Sequence, residues 1–182
     1  MSCNQLKKAD FPVPLPDGAT RVAVESHLQV YRSIHTEIER LEQLVMGSVK
    51  PKPAYPLITS MTGVGPILGT TILLETGDIE RFKSVGQYAS YCRCVKSEKT
   101  SNGKKKGEGN SKSGNKYLSW AFSEAAHFAV RYEPLAQRFY ERKRRKTNGI
   151  VAIRAIAHKL ARAAYYMLRD QMPFDAGRLF AN

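Results

Sequence analysis

The chain has 182 residues, which is enough for one domain with a hydrophobic core or for a small domain with an extension. Lysine and arginine number 29 against 16 aspartate and glutamate residues, so the net charge is +13 and favours polyanionic partners. A hydrophobic content of 42% excludes a wholly disordered chain, and the apolar runs are too short or too interrupted by charge to span a bilayer.

The amino terminus and the cysteines indicate the compartment. Residues 1–20 lack the basic-then-apolar order of a signal peptide, and three cysteines make no disulfide framework. Cys92 and Cys94 have no second pair that could complete a four-ligand zinc site. We therefore expect a cytoplasmic protein with reduced thiols, no membrane segment and no metal site in this chain.

The amino-terminal third predicts an arm and one long helix. The prolines of residues 1–20 favour extended chain, whereas residues 21–46 repeat apolar side chains every three or four positions. A coiled-coil strand, a helical hairpin and a helix packed on its own domain all fit this repeat. Residues 48–56, SVKPKPAYP, form a second proline-rich break. We place a domain boundary there, between 1–56 and 57–182.

The tetrapeptide Gly63-Val64-Gly65-Pro66 follows an apolar run and precedes a second apolar helix. Pro66 suits the first helical position, because the first N–H groups of a helix have no intrahelical partner. The arrangement is similar to a helix-hairpin-helix, in which Gly63 and Gly65 would let backbone amides approach a phosphate. A plain turn between two helices explains both glycines equally well.

The remainder predicts further helices around one polar loop. Ser84 and Gln87 form a capping box, and Glu133-Pro134 breaks one helix and begins another. No strand alternation is visible, so we expect a mainly α protein, a helical bundle with a long basic Gly/Lys/Ser loop. The predicted helices cover about residues 84–92, 116–132, 134–146 and 150–169.

Two stretches concentrate basic side chains. Either could neutralise phosphates and release counterions from a nucleic acid. Composition alone favours a solvated loop for the first stretch, and a solvated helix end also explains the second. The first, at about 96–116, includes Lys104, Lys105, Lys106, Lys112 and Lys116, and the second, ERKRRK, includes Arg142, Lys143, Arg144 and Arg145.

Ser101 lies in the first basic stretch. A serine attacks a phosphate only when a base or metal activates it and the developing charge is stabilised. The lysines could stabilise that charge, but no carboxylate cluster and no Ser-His-Asp order is visible to activate the hydroxyl. From the residues alone, Ser101 is an ordinary loop serine.

Five short motifs follow one another along the chain. They are Gly63-Val64-Gly65-Pro66, Thr76-Gly77-Asp78, Arg81-Phe82, Ser101-Asn102-Gly103-Lys104 and Ser111-Lys112-Ser113-Gly114-Asn115. In this order they resemble the C-terminal domain of one insertion-sequence transposase family, which includes Piv/MooV-type DNA invertases and bridge-RNA-guided recombinases. The resemblance covers about residues 57–175. The family usually has Gly-Leu-x-Pro before the loop, where this chain has Arg93-Cys94-Val95-Lys96.

The resemblance implies DNA transposition or site-specific recombination. It implies that Ser101 attacks a DNA phosphodiester and forms a transient phosphoserine link, and that Asn115 and the glycines and lysines of the motifs contact DNA and a guide RNA. A non-catalytic nucleic-acid-binding remnant or accessory module is the alternative.

The resemblance also implies partners. The family's acidic-tetrad nuclease domain, which binds Mg²⁺, has no counterpart in these 182 residues. We therefore expect that domain to act in trans, this chain to be inactive alone, and the assembly to be a homo-oligomer.

Overall fold

The computed structural model describes residues 18–95, 98–102, 104–108 and 113–181, and helices dominate this part of the chain. The expected mainly α class is confirmed. In chain order the elements are α1 (Ala19–Val49), α2 (Ala54–Thr59), α3 (Pro66–Thr76), a 3-10 helix (Ile79–Arg81), α4 (Val85–Tyr91), β1 (Glu98–Ser101), β2 (Lys104–Glu108), α5 (Lys116–Tyr132), α6 (Pro134–Lys146), α7 (Gly149–Asp170) and α8 (Ala176–Phe180).

Side-chain caps fix several of the predicted helix starts. The Ser84 hydroxyl accepts a hydrogen bond from the Gln87 amide at 3.3 Å, while the Gln87 side chain accepts one from the Lys83 amide at 3.0 Å. At the break before α6, the Glu133 carboxylate accepts from the Leu135 amide at 3.2 Å. Each cap satisfies an amide that the first turn of a helix leaves without an intrahelical partner.

The core lies where α7 packs on α4, α5 and α6. Buried alanines on α5 shorten the distance at which a neighbouring helix can pack. A buried polar pair is satisfied internally, because the hydroxyls of Thr76 and Tyr88 lie 2.8 Å apart. The largest fully buried side chains include Ile58, Ile72, Tyr88, Phe122, Ile156 and Leu160.

Contacts divide the chain into two compact units, Met1–Leu44 and Val45–Asn182, and α1 runs through the division. The apolar side chains of α1 are largely exposed, with Ile34 at 55% and Leu41 at 52%. The predicted helix is confirmed, whereas a coiled-coil role for it and the domain boundary at residue 56 stay predictions. None of the described helices is both long and apolar enough to cross a bilayer.

The predicted basic loop contains a β-hairpin that we did not expect. Strands β1 and β2 are antiparallel, with Ser101 opposite Lys104, and their register is irregular between Lys99 and Thr100. Asn102 adopts a left-handed conformation with φ of 53°. Asn-Gly is a strong turn signal, but both strands are polar and lack the apolar alternation by which strands are usually recognised.

Candidate nucleic-acid interface

Ser101 is the last residue of β1 and pairs with Lys104 across the turn. The left-handed Asn102 that follows reverses the chain there. Lys104 is exposed, and the backbones of Lys105 and Lys106 lie in β2. Lys112 lies outside the described residues. The hairpin therefore places Ser101 at the edge of a tight turn that is followed at once by three lysines.

The two ends of the segment that carries the hairpin are fastened together. The Arg93 guanidinium donates to the Gly114 carbonyl at 2.9 Å, and the Asn115 amide donates to the Tyr91 carbonyl at 2.6 Å. Gly114 has φ of 88°, and a Cβ at that position would lie 2.6 Å from the Tyr91 oxygen. Only glycine fits this approach, which explains the glycine of the Ser-Lys-x-Gly-Asn motif in physical terms.

Asn115 connects three helices. Its side-chain oxygen accepts from the amides of Tyr117 at 2.8 Å and Leu118 at 3.0 Å, which caps α5. Its side-chain nitrogen donates to the Glu75 carboxylate of α3 at 2.5 Å and to the Tyr91 hydroxyl of α4 at 3.4 Å. The structure thus gives Asn115 a positioning role within the fold, and its contact with nucleic acid stays a prediction.

Arg81 completes this group. Its guanidinium carbon lies 4.7 Å from the centre of the Tyr91 ring and 4.4 Å from that of Phe82, and it donates to the Glu75 carbonyl at 3.5 Å. The hydrogen bond from Asn115, and next the one from Arg81, lowers the pKa of the Tyr91 hydroxyl, because both stabilise the phenolate. We call Glu75, Arg81, Tyr91 and Asn115 the loop-root cluster.

Sequence analysis missed two members of the loop-root cluster, Glu75 and Tyr91. A signal for Glu75 was present, since a lone carboxylate ends the apolar run ILLE of α3 directly before the Thr-Gly-Asp motif. Tyr91 had no such signal, because its partners, Asn115 among them, lie far away in the sequence.

The two glycines of the Gly-Val-Gly-Pro turn, which joins α2 to α3, have different surroundings. Gly63 has φ of 93°, and a Cβ there would lie 2.4 Å from the carbonyl oxygen of Ala125 on α5, so the glycine serves close helix packing. Gly65 is exposed, with nothing near its would-be Cβ, and it caps the amino terminus of α3. Phosphate contact at this turn and the helix-hairpin-helix assignment stay predictions.

The second basic stretch forms the carboxy-terminal turns of α6. Arg142, Arg144 and Arg145 are exposed, whereas Lys143 is partly buried. The Arg144 guanidinium lies 3.4 Å from the Glu141 carboxylate and stacks over the Tyr140 ring at 5.7 Å. Cations at the carboxy terminus of a helix are stabilised by its dipole, so this placement needs no ligand. Lys116, at the start of α5, is also exposed.

The described residues do not fit a metal centre. Among them, no group of three or more His, Cys, Asp or Glu side chains is arranged to hold an ion. Cys92 and Cys94 are free thiols, and burial raises the pKa of Cys94 to about 12. Such thiols stay protonated at neutral pH and are poor nucleophiles and ligands.

In a comparison with known protein families, residues 55–141 match the Transposase IS116/IS110/IS902 family. The chain is 27% identical over 154 residues to the insertion element IS110 uncharacterized 43.6 kDa protein of Streptomyces coelicolor, covering 84% of this chain and 38% of that protein. It is 25% identical over 173 residues to a probable family 20 transposase of Pseudomonas aeruginosa, covering 91% and 49%. The chain thus spans less than half the length of these relatives.

Proposed function

We propose that the chain, whose residues 55–141 match the Transposase IS116/IS110/IS902 family, is the serine-bearing part of a transposase that cuts and rejoins DNA. The observation that carries the proposal is the loop root. There Arg81 of one motif and Gly114 and Asn115 of another hold the base of the segment that presents Ser101. Fixed positioning of a nucleophile is a large part of phosphoryl-transfer catalysis.

In the proposed reaction, the Ser101 oxygen attacks the phosphorus of a DNA phosphodiester. A P–O bond to serine forms, the P–O bond to one deoxyribose oxygen breaks, and the serine proton passes to a base while the departing oxygen takes up a proton. Attack of a deoxyribose hydroxyl on the phosphoserine reverses these steps and rejoins a strand. Each exchange conserves the number of phosphodiester bonds, so strands can be recombined without an external energy source.

The basic surfaces would bind the nucleic acid. Exposed Lys104, Lys116, Arg144 and Arg145 can neutralise phosphates, and arginine forks can bind phosphate oxygens in pairs. The exposed amino terminus of α3 at Gly65 would add backbone amides to these contacts. We propose DNA as the substrate and a guide RNA as a second ligand of the same surfaces.

A partner domain would supply the rest of the chemistry. The Mg²⁺ that the family resemblance implies finds no ligand cluster in the described residues. We propose that an acidic-tetrad nuclease domain acting in trans holds it and supplies the base that takes the serine proton, within a homo-oligomeric assembly.

A denaturing-gel assay for protein joined to labelled DNA tests the proposal. The full chain is mixed with DNA, Mg²⁺, guide RNA and the acidic-tetrad domain. We expect an adduct that Ser101→Ala abolishes while DNA affinity changes by less than about twofold. Ser113→Ala, an exposed serine of the same segment, is the matched control and should form the adduct normally.

Two outcomes would contradict this proposal. An adduct that persists in Ser101→Ala would place the nucleophile elsewhere. Salt-sensitive DNA binding without an adduct under any condition would leave a non-catalytic nucleic-acid-binding module.

A further inference from the structure

A cleft of about 510 Å³ opens beside the loop root, between α5, α6 and the first turns of α7. It lies within the second compact unit and contains none of the residues assigned above to DNA contact. Cys94 lines it and is seven residues before Ser101, so the chain keeps their Cα atoms within about 25 Å of each other. A strand that reaches Ser101 can therefore also reach the cleft.

The charge of the cleft suits a phosphate. Arg93 and Arg154 line it, and no aspartate or glutamate is among the described residues that do. Arg93 is held by its hydrogen bond to the Gly114 carbonyl, and Arg154 is exposed on α7. Guanidinium groups bind phosphate oxygens through charge-assisted hydrogen bonds.

The floor of the cleft suits a nucleobase. Ile150, Ile153 and Ala157 line it at helical spacing on α7, and Ile150 is 75% exposed. Exposure of so large an apolar side chain is costly, and a flat ligand would remove it from water. Ser119 and Ser123 on α5 provide hydroxyls at the wall, which can pair with the polar edge of a base.

We propose that this cleft binds one unstacked nucleotide of the bound nucleic-acid strand. Its phosphate lies between Arg93 and Arg154, and its base lies on Ile150 and Ile153. The volume is in the range of pockets that enclose small ligands, about 300–1,000 Å³. The inference rests on the proposed function, since it requires that the chain binds nucleic acid.

The test compares an ordinary single-stranded DNA of mixed sequence with an abasic strand of equal length, using fluorescence anisotropy and the full chain. Arg154→Gln should weaken binding of both strands about tenfold, because it removes a phosphate contact. Ile150→Ser should weaken binding of the ordinary strand about fivefold and leave the abasic strand unchanged, because only a base uses the apolar floor.

Two exposed residues outside the cleft serve as matched controls. Arg162→Gln removes a charge from the same helix, and Leu74→Ser removes an exposed apolar side chain from α3. Both should change affinity by less than about twofold. All four variants alter exposed side chains, and thermal unfolding checks that each is folded.

The outcomes separate the two proposals. If Arg154→Gln and Arg162→Gln weakened DNA binding equally, the cleft would not be the phosphate site. If Ile150→Ser lowered the affinity for both strands equally, the cleft would not hold a base. Either result would overturn the proposed nucleotide site and leave the proposed DNA binding intact. Failure of the unmodified chain to bind either strand would overturn the cleft together with the DNA-binding part of the proposed function.

Discussion

At its root, the segment between α4 and α5 is fastened by side chains from three helices, whereas its hairpin is held by the ladder between β1 and β2. The side chain of Asn115 links the start of α5 both to Glu75 of α3 and to Tyr91 of α4. In the hairpin, the defining contacts are local pairs such as Ser101 with Lys104. One region depends on long-range tertiary contacts and the other on neighbours in sequence.

The difference bears on the proposed nucleophile, Ser101. A residue that must reach DNA cannot be buried, so its position has to be set by the residues that anchor its segment to the helices. The loop-root cluster fixes where the segment leaves and rejoins the helices, and the tight turn at Asn102 sets the local geometry. Damage to the root should therefore reduce stability, and damage to the turn should reduce chemistry alone.

The largest expected effect is at the root. Gly114→Ala should lower the free energy of unfolding by about 3 kcal/mol, because it combines a strained positive φ with a Cβ that would lie 2.6 Å from a backbone oxygen. Urea denaturation measures it. Gly86→Ala, on α4 where the nearest atom to a Cβ is 3.8 Å away, is the control and should be neutral or stabilising by about 0.5 kcal/mol. Similar losses in both variants would refute the steric explanation.

A smaller effect should follow removal of the link between helices. Asn115→Ala should cost about 2 kcal/mol, since it removes a helix cap and leaves the Glu75 carboxylate without its amide donor. In a double-mutant cycle with Glu75→Ala, the coupling should be about 1 kcal/mol or more. The same variant should raise the pKa of Tyr91, because the hydrogen bond that favours the phenolate is lost.

Additive effects of Asn115→Ala and Glu75→Ala would show that the contact contributes nothing of its own. Spectrophotometric titration, compared with that of Tyr91→Phe, isolates the Tyr91 hydroxyl. An unchanged pKa of Tyr91 would argue against the hydrogen bond.

The smallest effect on stability is expected at the turn. Asn102→Val should change the free energy of unfolding by less than about 0.5 kcal/mol, since Asn102 is exposed. It should nevertheless reduce covalent adduct at least about tenfold, because a β-branched residue resists the positive φ that Asn102 adopts. Asn102→Gly keeps that conformation accessible and should retain adduct formation. If Asn102→Val formed as much covalent adduct as the unmodified chain, the conformation of the turn would not affect the reaction.

Local sequence signals predicted the elements that depend on local physics. The long helix expected over 21–46 is α1, the break at Glu133-Pro134 separates α5 from α6, and Ser84 caps α4 as its spacing suggested. The hairpin was overlooked although Asn102-Gly103 is a local turn signal, because both of its strands are polar. Neither strand shows the apolar alternation by which strands are usually recognised.

In the candidate site, the sequence predicted only the features that follow from residue type or from a short motif. Runs of lysine and arginine identified the basic stretches in the sequence, and the exposure of Arg144 and Arg145 agrees with a binding surface. Motif resemblance singled out Ser101, which composition alone had not. The cleft beside Arg93 and Arg154 had no sequence signal, because its walls come from four separate segments.

By itself, the sequence determined a basic, mainly helical chain whose motifs are those of a transposase family, since charge, helical periodicity and motif order are properties of neighbouring residues. Tertiary structure alone decided that Gly63 and Gly114 serve close approaches, that Asn115 bonds to Glu75, and that two arginines share a cleft. Those outcomes depend on distances between residues far apart in the chain, which are fixed only when the helices pack.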